Sequence, residues 1–258
     1  STSLPYRIID FATRRLYQSV NQIITIGRDM EKLVIKKNPK LKSKVSVITN
    51  WADDQMKPVP REENKFRDET CHEDELVIQY SGNMGRTHGL NIIAQAAAIL
   101  EQKRISGVRW MMCGWGSGKK ELEQICKEKN LQSVVILDPV HRKDLAALIS
   151  IADISIISFI PKMSGISVPS RMYNILATGC PIIGITETDS ELAQTIFDDD
   201  LGWVSPPQEP ELLAELVIQI YEQRPELARY RKRCQVAATT RFTKDNSIRA
   251  YHALLSED

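Results

Sequence analysis

The chain has 258 residues, 42% of them hydrophobic and 26% charged, so it can bury a sizeable core and is no disordered tail. Its formal net charge of +1 gives no reason to expect a nucleic-acid partner, and no apolar run approaches the roughly 20 residues that cross a bilayer. Five widely spaced cysteines with no CxxC pair argue against a disulfide framework or a zinc site, and make a reducing, cytoplasmic setting the expectation.

The N-terminus has no Met and no basic stretch leading into an apolar one, so it reads as a fragment or processed chain without a secretory signal. Residues 1–44 carry ten Lys or Arg against three acids. That segment is either a solvated face or a surface for anionic lipid or polyprenyl phosphate, and hence a candidate peripheral contact at the inner face of a membrane. Strands are expected at 22–26 and 45–48. Residues 53–74 then break the rhythm with Pro58, Pro60, dense charge and almost no large apolar residue. This makes 54–74 a linker, and 1–53 the end of a preceding domain, because two strands and two helices are too few for a domain of their own.

Beyond the linker, short apolar runs alternate with stretches of helical period, the pattern of βαβ units around a parallel sheet. Strands are expected at 76–80, 109–113, 134–137, 154–158 and 181–185, with helices at 90–102, 119–129, 143–151 and 172–178. From Pro210 the pattern is helical to the end, broken at Pro225 and at 243–245. The fold class is therefore α/β, a Rossmann-like parallel sheet flanked by helices over 75–225, followed by C-terminal helices over 226–258.

Ligands of open parallel sheets bind where strand carboxyl ends lead into helix N-termini. Two such loops carry suitable residues. In Tyr80-Ser81-Gly82-Asn83-Met84-Gly85-Arg86-Thr87-His88-Gly89, the glycines serve either a tight turn or close backbone approach to a phosphate. In Ser164-Gly165-Ile166-Ser167-Val168-Pro169-Ser170-Arg171, small residues, hydroxyls and a forked cation at a helix start suit a diphosphate.

Other motifs fail on chemistry. The run from Cys113 to Lys120 lacks both the leading glycine and the Ser or Thr of a Walker A loop, and its G-x-G-x-G spacing is no dinucleotide fingerprint. An NAD-dependent oxidoreductase is thereby disfavoured. Asp198-Asp199-Asp200 reads as a solvated loop rather than a metal site. Of the histidines, His72 falls in the linker, His141 at a turn and His252 in the last helix, which leaves His88 as the one in a ligand loop. No Ser-His-Asp set falls on strand ends.

With Val45-Ser46-Val47-Ile48-Thr49-Asn50-Trp51-Ala52-Asp53, Met112-Cys113-Gly114-Trp115-Gly116, Ala152-Asp153-Ile154, Leu176-Ala177-Thr178-Gly179-Cys180-Pro181 and Gly202-Trp203-Val204 taken in this order beside the two loops, the chain resembles the C-terminal half of family four retaining glycosyltransferases of GT-B architecture. The likeness is greatest to bacterial enzymes of O-antigen, capsule and colanic acid synthesis. The resemblance implies that Gly82, Asn83 and Gly85 approach the transferred sugar and diphosphate, with His88 where many relatives have a lysine. It implies that Arg171, with Ser167, Val168, Pro169 and Ser170, holds the diphosphate, and that Pro139 and Val140 meet the nucleobase. Relatives often carry two glutamates with seven residues between them, where this chain has Ile166 and Asn174; Asn174 or Glu191 is then expected at the ribose. The implied activity is sugar transfer from a nucleoside diphosphate sugar, UDP favoured, to a glycan or polyprenyl-linked acceptor, without metal or cofactor. A non-catalytic nucleotide-binding module serving a separate subunit is the alternative.

Overall fold

The computed structural model describes residues 3–66 and 74–256, so Cys71 and His72 lie outside the described residues. The chain opens with α1 (Leu4–Ser19), β1 (Ile23–Thr25), α2 (Arg28–Lys37) and β2 (Val45–Val47). β1 and β2 pair in parallel, and Ile23, Val34, Leu41 and Val45 form a small core of their own. α1 leaves Leu4, Ile8, Ile9, Phe11 and Leu16 more than half exposed.

The main sheet comprises β3 (Leu76–Asn83), β4 (Val108–Trp115), β5 (Val134–Leu137), β6 (Ile154–Ser158), β7 (Ile182–Ile185) and β8 (Gly202–Ser205). All pair in parallel, in the order β5-β4-β3-β6-β7-β8. Starting from β3 the chain fills one edge, crosses back, and fills the other, which is the doubly wound arrangement. Strands covered on both faces need continuous apolar runs rather than alternation, and the five residues of β6 and the first five of β3 are all buried. α3 (Asn91–Gln102), α4 (Lys119–Glu128) and α8 (Pro210–Glu222) contribute to one apolar cluster with the sheet. α5 (Leu145–Ser150), α6 (Arg171–Ala177), α7 (Glu191–Asp199) and α9 (Leu227–Thr240) contribute to the other. α10 (Lys244–Leu255) returns to the first segment, where Ser247 Oγ donates to the Thr49 carbonyl at 2.7 Å.

Several elements differ from expectation for identifiable reasons. β3 and β4 run on past Tyr80 and Cys113 because their glycines face each other. A Cβ on Gly114 would stand 1.9 Å from the Gly82 carbonyl oxygen, so only glycine lets the strands stay paired there. Residues 142–144 form a 3-10 turn ahead of α5 rather than its first turn. β8 is not among the expected strands, since its residues GWVS hold only two large apolar side chains between a glycine and a serine and form no apolar run. The described part of the expected linker is packed rather than loose: Met56 is buried, the Val59 N–H donates to Ser150 Oγ at 3.0 Å, and Asn64 Nδ2 donates to the Ala147 carbonyl at 2.7 Å.

Candidate functional site

β3 is the strand from which the chain reverses direction across the sheet, and crevices form at such points. Pairing of β3 with β6 stops at Gln79, whereas pairing with β4 continues through Asn83. The strands therefore part at their carboxyl ends, and a cavity of about 620 Å³ opens there. It brings together Gly82, Asn83, His88, Pro139, Val140, Ser167, Val168, Pro169, Ser170, Arg171 and Asn174. The two loops singled out in the sequence thus face one space.

Arg171 joins them directly. From the start of α6 its guanidinium crosses to the end of β3, where Nη1 donates to the Ser81 carbonyl at 3.2 Å and its carbon lies 4.5 Å from the Tyr80 ring centroid. Nη2 is buried and has no hydrogen-bond partner among the described residues. A cationic donor buried and left unmatched costs free energy, so this edge of the fork can take a further acceptor. The N–H groups of Val168, Ser170 and Arg171 likewise make no hydrogen bond within the described residues. That of Ser167 differs from expectation, because it closes its own turn onto the Met163 carbonyl at 3.3 Å.

Tyr80 and Phe159 stand beside these groups; Tyr80 opens the first loop but was assigned no role there, and Phe159 lies outside both loops. The Tyr80 hydroxyl donates to the Asn83 carbonyl at 2.6 Å and so shapes the turn, while burial pushes its own ionisation up. His88 is stacked on Phe159 with centroids 5.8 Å apart and meets Tyr80 edge-on at 6.4 Å. Burial first, and then the Arg171 charge, hold His88 below its ordinary pKa, with its Nδ1 3.3 Å from the Gly85 carbonyl. An aromatic at the last buried position of β3 and another just after β6 were the available signals. A lone aromatic at a strand end is ordinary core, however, until the topology places it beside a guanidinium.

Two expected residues stand outside the cavity. Gly85 borders a neighbouring space of about 570 Å³ with Asn91, Gln95 and Glu121, because the turn after Met84 carries it past the crevice. Glu191, expected at the ribose, is only 2% exposed, and its carboxylate is engaged by neighbours of its own. It accepts from the Arg28 N–H at 2.6 Å, from Arg28 Nη2 at 3.0 Å and from Thr195 Oγ1 at 3.1 Å. Asn174 does line the cavity, yet its Oδ1 accepts the Asp53 N–H at 2.9 Å. Asp53 in turn pairs with Arg142, which keeps its carboxyl below the usual range. The aspartate run is not merely solvated: Asp198 pairs with Arg28 and Arg241, Asp199 with Arg241, and Asp200 with Arg229 and Arg233. Among the described residues, no group of three or more His, Cys, Asp and Glu is placed to hold a metal ion. No described helix is long and apolar enough to cross a membrane.

A family model described as glycosyl transferases group 1 matches residues 61–238. The chain belongs to this family. Among curated relatives of this group 1 chain, WbjE of Pseudomonas aeruginosa, a probable glycosyltransferase, is 29% identical over 226 residues, which cover 85% of the chain and 54% of WbjE. WcaI of Escherichia coli K12, named for colanic acid biosynthesis, is 25% identical over 179 residues, covering 68% and 43%. The chain thus spans about half the length of the curated relatives it matches. Among solved structures, Anabaena HepE in complex with UDP and glucose superposes with a TM-score of 0.81 at 17% identity, over 96% of this chain and 66% of HepE. At that identity the likeness shows the fold, one half of a GT-B architecture.

Proposed function

We propose that the chain is the donor-binding half of a glycosyltransferase that moves a sugar from a nucleoside diphosphate sugar, UDP favoured, to a glycan or polyprenyl-linked acceptor in cell-surface polysaccharide synthesis. The observation that carries this reading is the buried, unmatched Nη2 of Arg171 at the parting of β3 and β6, beside three uncommitted backbone N–H groups. HepE, which shares the fold, was solved with UDP and with UDP-glucose. WcaI is named for colanic acid biosynthesis.

On this reading, residues 1–53 end an acceptor domain, 54–74 link it to the donor domain of 75–225, and the helices of 226–258 pack back toward the first. The bond from the anomeric carbon to the diphosphate breaks while the acceptor oxygen bonds to that carbon with retention. Negative charge grows on the departing diphosphate, and Arg171, the N–H groups of Val168 and Ser170, and His88 stabilise it as fixed donors without a metal. Pro139 and Val140 flank the base. The group that takes the acceptor's proton comes from outside this chain. Work at the cytoplasmic face of a membrane fits the basic surface of residues 1–44.

Calorimetric titration with UDP, GDP, ADP and NAD tests the reading. UDP binds most tightly if it holds; absence of binding, or preference for NAD, overturns it. The alternative is a nucleotide-binding module that serves a separate catalytic subunit. Sugar transfer by a longer chain containing these residues, and none by a two-subunit mixture, discards that reading.

A further inference from the structure

The Phe159–Arg171 stretch that closes the cavity contains turns but no strand or helix before Arg171, so something outside it must hold its backbone in place. Two carboxylates do so. Glu187, between β7 and α7, accepts the N–H groups of Lys162 at 3.0 Å and Ser164 at 3.2 Å. The other is Asp29, 136 residues away in the first turn of α2. Its Oδ2 accepts the N–H of Gly165 and that of Glu191, both at 2.9 Å, while Oδ1 accepts the Met30 N–H at 2.7 Å. The carboxylate is 5% exposed, and the adjacent Arg28 is turned to Glu191 and Asp198.

The approach is close at two glycines. Gly165 has φ +73°, and a Cβ there would lie 3.1 Å from the Asp29 carbonyl oxygen. A Cβ on Gly27 would lie 2.7 Å from Cγ2 of Val168, a residue of the cavity wall. Residues 27–29 therefore touch the cavity loop at both its middle and its end.

We propose that Asp29 is a positioning residue for the nucleotide: it sets the height of the loop through Gly165, and so aims the Val168 and Ser170 N–H groups and Arg171 at the diphosphate. This rests on the reading that the cavity takes a nucleoside diphosphate. Asparagine cannot replace the carboxylate, because one of its two terminal atoms is a donor and meets an N–H instead of accepting from it.

The test titrates UDP into the 258-residue chain and its D29N, G27A and Val34→Ala variants, with a thermal melt of each. Val34 belongs to the small core beside β1 and β2, so V34A loosens the same segment without touching the loop. If Asp29 positions the loop, D29N weakens UDP binding by at least about tenfold, the size expected when charge-assisted donors are misaimed. G27A weakens it as well, while V34A, melting at a comparably lowered temperature, stays within about twofold because Val34 packs into the small core with Ile23, Leu41 and Val45. Wild-type affinity in D29N, or a loss in V34A equal to that of D29N, overturns the proposal. Should D29N show no cooperative melt, G27A decides: affinity unchanged from wild type overturns the proposal, and a loss unmatched by V34A supports it. Failure of the wild-type chain itself to bind UDP sinks the nucleotide reading instead and is seen before any variant is made.

Discussion

Replacing Arg171 with alanine separates a binding role from a folding role. Without ligand, the guanidinium gains a cation–π contact with Tyr80 at 4.5 Å and one hydrogen bond to Ser81, together worth about 1–2.5 kcal/mol. Against that stands the buried, unpartnered Nη2, a penalty of roughly 1–3 kcal/mol. The two nearly cancel, so Arg171→Ala should shift unfolding free energy by no more than about 1 kcal/mol. A diphosphate in the cavity changes the balance, because Nη2 then donates to an anion, worth about 1.5–3 kcal/mol, or roughly 10- to 150-fold in affinity. Thermal melts of the free protein and UDP calorimetry measure the two halves separately. In a complete enzyme the same change should lower kcat by about 10²–10³. Affinity within twofold of wild type, or a loss above about 3 kcal/mol in the ligand-free chain, refutes the reasoning.

Other outcomes follow from the same geometry. Burial and Arg171 depress the His88 pKa in the folded chain, so as pH falls the unfolded chain protonates first, near about 6.5. Stability from this group is therefore present above that pH and declines on acidification, which urea titrations at pH 5.5 and 7.5 should register in wild type and not in His88→Gln. A diphosphate beside the imidazole raises its pKa, so UDP should bind with proton uptake in slightly acid buffer; calorimetry in buffers of different ionisation heat should show uptake in wild type and less in His88→Gln. Arg28→Ala strands the Glu191 carboxylate at 2% exposure; because Arg28 itself is about a third exposed, the loss should be about 2–3 kcal/mol by denaturation, and a change under 1 kcal/mol would show the pair to be solvated. Gly114→Ala drives a Cβ into the Gly82 carbonyl at 1.9 Å, which should cost about 3 kcal/mol or more. A melt unchanged by that substitution would mean β3 and β4 do not meet as described.

Much of the fold could be read along the chain because it follows from local periodicity. Val134–Leu137 and Ile154–Ser158 stand where expected, since runs of apolar residues bounded by polar turns have few other uses. The glycine turn after β3 and the small-residue turn before α6 were also visible, since their residue types follow from backbone geometry and hydrogen-bonding capacity. β8 escaped because only Trp203 and Val204 of its four residues are large and apolar, so no apolar run marks it. The pairing of Glu191 was hidden for a different reason: a carboxylate in sequence shows its charge but not its partner, and Arg28 lies 163 residues away.

What the amino-acid order settles by itself is therefore the alternation of strands and helices and the presence of two loops able to meet a phosphate, because propensity and spacing act over a few residues. That these loops share one cavity, that Arg171 rests on Tyr80 with one edge of its fork unmatched, and that Asp29 reaches the loop from α2 were decided only by the tertiary structure. Those contacts arise from the order in which parallel strands add to the sheet, and that order brings together residues that no local pattern connects.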